Sequence, residues 1–471
     1  MYPAQTSLIP VYVALGRFLE ENGLSAIFGL YPYWYLGTTP FRYLSGPILP
    51  VSLTTLHKIF PNFTLFEIFF LIIAFCWALG AIGVYLLVKG LGGERKIAIL
   101  SAFFYFFGPI IPLTFRFSNG LYLTAFSLLP FILLLYLGLL KNWTKKGAFL
   151  LFLSITFVIL LDSLALPTLI LGMATIFLAC VGWKKTEEKL KQAFLIFAFS
   201  FLISSFWYGP GYWLTLLGAS SFGGKSLLSV IAWLGKLAPT VFAFVAATVS
   251  VKFFKKRNLL RDFCFYWLFI FGFLTMVRFL SDPKFWLDWI AYGGELQLGL
   301  AITMGMVIDK ISNIKKFSLV VALSTLYFIL FTVIFSRYVL GTLQKDITNK
   351  VEYRISQELS KIVEPGGRVF LSGSSAFWLN AFFDIPQVRG GVDQVATHPT
   401  WDKVAWEVRE GEDVQKSLKW LKELGVNYLV VHTADSKEYY HDFKYPEKFE
   451  GREKLEKIYE GEGDRIYRLL N

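Results

Sequence analysis

Cysteine, histidine and charged residues are scarce in this chain of 471 residues. Its 3 cysteines leave no disulfide framework and no paired Cys-x-x-Cys zinc motif. Its 4 histidines all lie outside the long apolar runs, which argues against a histidine-lined proton path through a membrane. Charged residues make up 17% of the chain, below the usual quarter of a soluble domain. The net charge of +12 comes without the interleaved aromatic and basic residues of a nucleic-acid reader, so we expect no nucleic-acid partner.

Apolar residues dominate what remains, since 55% of the chain is hydrophobic and the mean hydropathy is +0.53. Apolar runs of about 17–25 residues predict about ten membrane-spanning helices. They lie near 65–88, 97–114, 121–140, 147–161, 164–182, 193–209, 227–250, 262–280, 294–309 and 317–337. Only Asp162 and Ser163 separate the fourth run from the fifth, so we expect a tight helical hairpin there.

Basic residues are concentrated in every second gap between these runs. The rich gaps are 89–96, 141–146, 184–191, 252–261 and 310–316, whereas the intervening gaps hold only Arg116, Lys225, Arg278 and Lys284. Lysine and arginine stay on the cytoplasmic side of a bilayer. The alternation therefore predicts a multi-pass plasma-membrane protein whose N-terminal loop and C-terminal domain are extracytoplasmic.

The predicted fold class is an α-helical polytopic membrane protein with a small extracytoplasmic α/β domain at its C-terminal end. The parts are an outer first loop at 1–63, a transmembrane domain at 64–338 and the α/β domain at 339–471. In the last part, 368–373 and 427–433 are predicted strands, 413–425 a predicted amphipathic helix and 461–463 a hairpin turn. It has no GxGxxG or P-loop spacing for binding a nucleotide.

The first loop is predicted to begin with an amphipathic helix at 8–22, with Arg17 and Glu21 one turn apart. The tyrosine and tryptophan run at 31–35 is interpreted as an interfacial belt. Residues 1–63 lack the pattern of a signal peptide. Because an outer loop must be translocated, either a helix upstream of it is missing or the N-terminus crosses together with the first span.

Carboxylates near the membrane on the predicted outer side are few, and Asp162 is the most informative of them. It lies in ILLDSLALP, where an ionised carboxylate is costly unless it faces a cavity or a partner. It either caps the following helix or belongs to a site. Glu295 is either a ligand or a first-turn acid that the helix dipole favours. Glu20 and Glu21 are either catalytic acids or a solvated helix face.

Arg278 and Arg116, on the same predicted side, are candidates for binding a lipid phosphate, because a guanidinium matches phosphate oxygens in pairs. Alternatively, Arg278 extends to the interface or pairs with Asp282 at the i,i+4 spacing. Asp282 is, together with Glu295, a candidate contact for a metal or an acceptor. No ligand spacing identifies a metal, so the cofactor is left open, with a divalent cation as one choice.

Three stretches resemble the GT-C-fold glycosyltransferases, polytopic enzymes that use lipid-phosphate-linked sugars. They are YPYWYLGTTPFRYLSGPILP at 31–50, SNGLYLTAFSLLPFILLLYLGLL at 118–140, and the outer domain with GRVFLSGSSAFWLN, an RGG at 389–391 and LKELGVNYLVVH. Within that class the chain looks most like the prokaryotic proteins labelled 6-pyruvoyl-tetrahydropterin synthase-related and the protein O-mannosyltransferase-like group. The label implies no pterin chemistry. The likeness spans nearly the whole chain, although each motif is of low specificity.

The resemblance implies transfer of a sugar from a polyprenyl-phosphate donor to an acceptor on the outer face, within membrane lipids. An acid of the first outer loop would act as base in an inverting displacement. That acid closely follows the first transmembrane helix in such enzymes, whereas MYPAQTSLIP contains no carboxylate. The base is then Asp162, Glu20 or Glu21, or it is missing with an upstream helix. The alternatives are a non-catalytic relative that presents its outer domain to a partner, and a lipid or polysaccharide transporter.

Overall fold

The computed structural model describes residues 1–39, 46–109, 120–180, 186–218, 258–280, 292–312, 326, 330, 333–334, 337, 343–391 and 400–470. Contacts divide the chain into two compact units. The N/C unit joins Met1–Phe69 to Leu343–Asn471, and the helical unit comprises Phe70–Thr342. The first loop and the C-terminal α/β part therefore contribute to one unit, built from both ends of the chain.

Helices account for most of the described residues. In chain order they are α1 (Ile9–Asn22), α2 (Ile48–Ile59), α3 (Leu65–Gly90), α4 (Arg95–Phe106), α5 (Gly120–Lys141), α6 (Lys145–Leu161), α7 (Leu166–Cys180), α8 (Thr186–Ser204), α9 (Pro210–Gly218), α10 (Leu259–Leu280), α11 (Gly293–Ser312), α12 (Val351–Ile362), α13 (Ser375–Phe382), α14 (Trp401–Arg409) and α15 (Val414–Glu423). Short 3-10 turns occur at Leu24–Phe28, Ser163–Ala165 and Pro446–Phe449. The strands are β1 (Val369–Phe370), β2 (Tyr428–His432), β3 (Leu455–Gly461) and β4 (Asp464–Leu469).

The predicted apolar runs coincide with helices over most of their described residues, and the exceptions are 107–109 and 205–209, which follow the ends of α4 and α8. By length and composition, three described stretches suffice to cross a membrane: Leu65–Gly90, Tyr122–Lys141 and Ser163–Cys180. The predicted hairpin is confirmed, because α6 ends at Leu161 and α7 begins at Leu166 after one 3-10 turn. The runs near 227–250 and 317–337 lie wholly or mostly outside the described residues. The total of about ten spans stays a prediction.

Glycines in α11 allow this helix to pack closely between α4 and α10. A Cβ atom on Gly299 would lie 2.7 Å from Cδ1 of Trp267 on α10, and one on Gly305 would lie 2.5 Å from Oγ of Ser101 on α4. Neither distance is tolerated in a close-packed interior, so these positions need glycine. The close packing fixes where the first turn of α11, which carries Glu295, lies in the helical unit.

In the N/C unit, α1 packs against α2 and α13. The hydroxyl of Thr54 on α2 donates to the carbonyl of Gly16 on α1 at 2.9 Å. Arg17 and Glu21 form the predicted ion pair at 2.9 Å. The amphipathic helix predicted at 8–22 is thus present, and its apolar face is buried inside this unit.

The sheet of the N/C unit has the strand order β1-β2-β4-β3. β1 and β2 are parallel, whereas β4 pairs antiparallel with β2 and β3. The predicted hairpin turn is confirmed at Glu462 and Gly463, whose φ angles are 50° and 81°. Helices α12 and α13 join the sheet in one apolar core that includes Ile355, Leu379 and Val430. The small C-terminal sheet with helices is therefore the α/β part that the sequence predicted.

The aromatic run of the first loop is buried rather than spread along a membrane surface. Tyr31, Trp34 and Tyr35 are 1%, 0% and 2% exposed. Nε1 of Trp34 donates to Oδ1 of Asn380 at 2.9 Å, and a Cβ atom on Gly390 would overlap its indole ring. The interfacial interpretation is wrong for these three rings. Packing inside a domain and placement at a membrane surface select the same residue types, so composition alone did not separate them.

Candidate functional site

Described residues of three basic gaps, at 89–96, 141–146 and next to 310–316, lie together at one end of the helical unit, here named the basic end. Nζ of Lys141, in the last turn of α5, donates to the carbonyl of Gly90 at the end of α3 at 2.9 Å. Lys96, at the start of α4, pairs with Asp309 near the end of α11 at 3.4 Å. Gaps rich in basic residues alternate along the sequence with gaps that hold few. In the helical unit, the described residues of three of the basic-rich gaps lie at one end.

The opposite end, here named the carboxylate end, is where α5, α7 and α11 begin and α6 ends. The hydroxyl groups of Tyr122 on α5 and Thr168 on α7 both donate to Oε1 of Glu295 on α11. Nε1 of Trp267 donates to the main-chain oxygen of Glu295 at 2.7 Å. Side chains of α5 and α7 therefore hold this carboxylate, and α10 holds the main chain of the same residue.

One oxygen of Glu295 is left available by this arrangement. The side chain is 0% exposed, and within the described part of the chain its Oε2 has no hydrogen-bond partner. Leaving a buried acceptor unpaired costs about 1–3 kcal/mol, and such atoms mark places where a water, an ion or a ligand binds. The first-turn position favours the negative charge through the helix dipole. The predicted first-turn position of Glu295 is confirmed, and its role as a ligand stays a prediction.

Asp162 shows the same division between its two oxygens. Its Oδ1 accepts the N–H of Leu164 at 2.9 Å and caps the 3-10 turn that leads into α7. Its Oδ2 has no partner among the described residues, and the side chain is 2% exposed. The predicted cap is therefore confirmed, and the second oxygen stays available for a site.

Aromatic side chains lie close to Asp162. Tyr208 and Tyr212 interact electrostatically with its carboxylate, and their ring centroids lie 4.4 Å apart. The Tyr212 hydroxyl shares a hydrogen bond with Oγ of Ser163. The Tyr208 side chain is also buried and interacts with Ser163. Aromatic walls with a few polar groups are typical of small-molecule sites.

The two carboxylates can accept a proton from a hydroxyl group or contribute to a cation site. No group of three or more His, Cys, Asp or Glu side chains suited to a metal occurs among the described residues. Asp162 and Glu295 each offer one oxygen, and Mg²⁺ is commonly held by one or two carboxylates together with substrate phosphates. A divalent metal at this end therefore stays a prediction.

Glu20 and Glu21, the other predicted acids, lie in the N/C unit and are engaged in ion pairs. Glu20 contacts Nδ1 of His57 at 2.8 Å, and Glu21 contacts Arg17 at 2.9 Å. Arg17 also pairs with Asp384 at 2.7 Å.

The predicted phosphate-binding arginines are described only in part. Arg116 and Asp282 lie outside the described residues. Arg278 lies near the end of α10, and its side chain is outside the described part. Binding of a lipid phosphate by these arginines stays a prediction, as does a metal or acceptor contact at Asp282.

Tyr122 and Thr168 are site residues that sequence reasoning missed. They lie 173 and 127 residues from Glu295 along the chain, so no local spacing connects them. Each is a hydroxyl-bearing residue near the start of an apolar run that begins on the predicted outer side. That shared position is the signal that could have identified them.

The described helices and sheet have the GT-C fold of membrane glycosyltransferases. The chain is similar to the Archaeoglobus fulgidus oligosaccharyltransferase solved with zinc and sulfate, at 15% identity and a TM-score of 0.59 over 90% of this chain and 63% of that chain. It is similar to AglB of the same organism, solved with an inhibitory peptide and a dolichol-phosphate, at 16% identity and a TM-score of 0.56 over 90% and 65% of the two chains. The mycobacterial arabinofuranosyltransferase AftD gives 14% identity and a TM-score of 0.56 over 100% and 38%.

These similarities establish the fold of the chain and its resemblance to GT-C proteins. The chain spans 63% of the archaeal enzyme's length, less than two thirds of it. No protein-family model matches the sequence, and no curated protein sequence does. The GT-C fold and the long apolar helices together make this chain a membrane protein.

Proposed function

We propose that this chain is a membrane glycosyltransferase that moves a sugar from a polyprenyl-phosphate-linked donor to an acceptor on the outer face. The observation that carries the proposal is the pair of buried carboxylates, Asp162 and Glu295, each with one unpaired oxygen in the described structure. They lie at the carboxylate end of a helical unit in a GT-C fold. The similar AglB structure contains a dolichol-phosphate, which supports a lipid-phosphate donor.

In the proposed reaction, Oδ2 of Asp162 accepts the proton of the acceptor hydroxyl. The hydroxyl oxygen attacks the anomeric carbon, and the bond from that carbon to the phosphate oxygen breaks. The polyprenyl phosphate leaves with the electron pair, so the sugar is transferred with inversion. Glu295 contacts the acceptor or a metal, and Arg278 and Arg116 bind the donor phosphate.

The ion pairs in the N/C unit favour Asp162 over the alternative bases. Glu20 and Glu21 are already in contact with His57 and Arg17. Asp162 faces no cation among the described residues, and its second oxygen accepts no hydrogen bond there. A base works when its proton affinity is high enough to take a proton from the reacting group.

The test is sugar transfer by the purified protein in lipid nanodiscs supplied with radiolabelled polyprenyl-phosphate sugars. Replacing Asp162 with Asn is expected to lower the transfer rate by about 100- to 10,000-fold, the usual contribution of a general base. Asp309→Asn is the control, because Asp309 pairs with Lys96 at the basic end. Transfer that survives Asp162→Asn but is lost in Glu20→Gln or Glu21→Gln would move the base to the N/C unit.

A non-catalytic role is the second candidate function. It is favoured by the engagement of Glu20 and Glu21 in ion pairs, since they are the first acids along the chain. The N/C unit would then present a surface to a partner, and no sugar donor would yield labelled product. Translocation of lipid across vesicles without any transfer would instead support the transporter alternative.

A further inference from the structure

Three buried side chains of the N/C unit meet next to the start of α13. This carboxyl cluster consists of Glu352, Ser374 and Glu438, which are 1%, 0% and 0% exposed. Oγ of Ser374 lies 2.6 Å from Oε1 of Glu352 and 2.8 Å from Oε1 of Glu438. Both separations are hydrogen-bond distances between oxygen atoms.

Hydrogen counting decides the charge state of this cluster. A serine hydroxyl has one hydrogen, so Ser374 donates to only one of the two carboxyl groups. The other contact needs a hydrogen that the second carboxyl group itself supplies. Without that hydrogen, two oxygen lone pairs would face each other in a buried site, which is strongly unfavourable.

The backbone identifies which carboxyl group is ionised. Glu438 accepts the N–H of Ser374 at 2.6 Å on Oε1, and those of Tyr440 and His441 at 2.8 and 2.7 Å on Oε2. Three N–H donors stabilise a carboxylate strongly. Glu438 is therefore the charged partner. Glu352 carries the hydrogen and donates to Ser374, which in turn donates to Glu438.

The surroundings of the cluster agree with a neutral Glu352. Burial raises the pKa of Glu352, a hydrogen bond from Gln5 opposes that effect, and the charge of Glu438 adds to it. The titratable groups on the neighbouring elements are the α-amino group and Tyr2 of the N-terminal segment, Tyr353, Arg354, Glu358 and Lys361 of α12, and Asp435, Lys437, Tyr439, Tyr440, His441, Asp442, Lys444 and Tyr445 of the loop before the last 3-10 turn.

Several of the cations among these groups are paired elsewhere. The α-amino group of Met1 pairs with Glu67 at 3.3 Å, Lys437 with Glu462 at 3.1 Å, and Arg354 with Glu462 at 2.6 Å. Helix α13 and strand β1 contain no titratable side chain. A proton on Glu352 satisfies both contacts of the Ser374 hydroxyl without any further cation.

We propose that Glu352 is protonated in the folded N/C unit at neutral pH, and that this proton makes the attachment of the N-terminal segment sensitive to pH. Gln5 connects the cluster to that segment. Its side chain interacts with Glu352 and donates to the carbonyl of Lys437 at 3.3 Å, while its own carbonyl accepts Nε1 of Trp378 at 3.1 Å. Ionised Glu352 repels Glu438 and loosens the contact between the two ends of the chain.

The direction of the pH effect follows from the raised pKa. The folded state holds a proton that the unfolded chain releases near the ordinary glutamate pKa of about 4.3. The stabilisation is full below that value and falls as pH rises toward the pKa of folded Glu352, above which it is lost. Glu352→Gln keeps a hydrogen-bond donor to Ser374 but has no proton to lose, so it removes this pH dependence.

Hydrogen exchange of the Tyr440 and His441 amides tests the proposal in the full chain in nanodiscs, between about pH 5 and about pH 9. The measured quantity is the opening constant of the wild type divided by that of Glu352→Gln. This ratio is expected to rise with pH, by up to about tenfold per pH unit, until Glu352 is ionised in the folded state. Glu358→Gln on the same helix is the matched control, since Glu358 pairs with Lys361 near the surface, and its ratio should not change with pH.

Two results would overturn the proposal. One is a ratio for Glu352→Gln that does not change with pH. The other is protection of these amides by calcium or magnesium in the wild type alone, because a bound cation would then take the place of the proton. If Glu352→Gln does not fold, the infrared band of a protonated carboxyl group is followed in the wild type and in Glu352→Asp. A band that fails to shift in Glu352→Asp also contradicts the proposal.

Discussion

At the scale of single residues, Asp442 receives four hydrogen bonds on one oxygen. Its Oδ2 accepts from the Ser372 hydroxyl, from the Gly373 N–H at 3.0 Å, and from Arg389 and Arg409 at 3.1 Å each. Burial by itself would raise the pKa of Asp442, but the serine and the two guanidinium groups outweigh it and lower the pKa to about 2. The ionised form is therefore the stable one in the folded unit.

We expect Asp442→Asn to lower the free energy of unfolding of the N/C unit by about 2 kcal/mol at neutral pH, because that is the free energy to which the lowered pKa of Asp442 corresponds. The wild-type stabilisation is present above the ordinary aspartate pKa of about 4 and is lost as pH falls to about 2. The difference between wild type and variant should accordingly shrink over that interval. Denaturant unfolding in detergent, followed by tryptophan fluorescence, measures it.

Asp435→Asn is the matched control for this measurement, because Asp435 is an exposed acid of the same loop. A surface substitution of this kind usually changes stability by less than about 0.5 kcal/mol. A stability difference for Asp442→Asn that stays constant down to about pH 2 would contradict the assignment of the two arginines as the stabilising cations.

At the scale of elements, stretches that carried the family resemblance meet in the N/C unit. Trp34 comes from YPYWYLG, Asn380 ends GRVFLSGSSAFWLN, and Gly390 and Gly391 belong to RGG. The indole N–H of Trp34 reaches Asn380, and the two glycines lie against the ring. These low-specificity motifs therefore describe one packing arrangement.

Gly390→Ala tests this packing. Gly390 has a φ of 99°, and its Cβ atom would overlap the ring of Trp34, so the variant combines backbone strain with a steric clash. We expect a loss of more than about 3 kcal/mol of unfolding free energy and a red-shifted tryptophan emission. Gly366→Ala is the control, because Gly366 has a φ of 84° and open space around it.

Together, Gly390→Ala and Gly366→Ala separate the cost of backbone strain from the cost of the steric clash with Trp34. Strain alone costs about 1–2 kcal/mol, so Gly366→Ala should lose that amount and keep the wild-type emission. Equal losses in both variants would mean that Trp34 moves aside without penalty.

The sequence predicted helices and turns well where the residues that determine them are close together along the chain. Apolar runs located the helices, and the hairpin at Asp162 and Ser163 followed from the gap between two runs. The burial of Trp34 was not predictable, because its partner Asn380 is 346 residues away. The partners of Glu295 were missed for the same reason. Side-chain contacts between distant elements depend on packing, and a residue's type does not encode its partner.

At the scale of the whole molecule, the basic end predicts an orientation in the membrane. Lys141 and Lys96 meet other helix ends there, while Asp162 and Glu295 lie at the carboxylate end. The positive-inside rule places the basic end in the cytoplasm. The proposed orientation puts the carboxylate end and the N/C unit outside.

Cysteine labelling in intact cells tests this orientation. In a chain with Cys76, Cys180 and Cys264 replaced by Ala, a membrane-impermeant maleimide should label Lys419→Cys in the N/C unit and not Lys146→Cys at the basic end. Both positions are exposed, so access alone does not separate them. Both should react after permeabilisation. Labelling of Lys146→Cys alone in intact cells would reverse the topology.

The joining of both chain ends in the N/C unit has a consequence for biogenesis. Trp34 is synthesised 346 residues before Asn380. At typical synthesis rates the delay is on the order of tens of seconds, during which the helical unit is synthesised. Until Asn380 is synthesised, the aromatic rings of the first loop lack their packing partners. Their exposed apolar surface is then prone to aggregation. Cells should therefore need a chaperone on that side of the membrane, and loss of the last strands should leave the first loop unfolded as well.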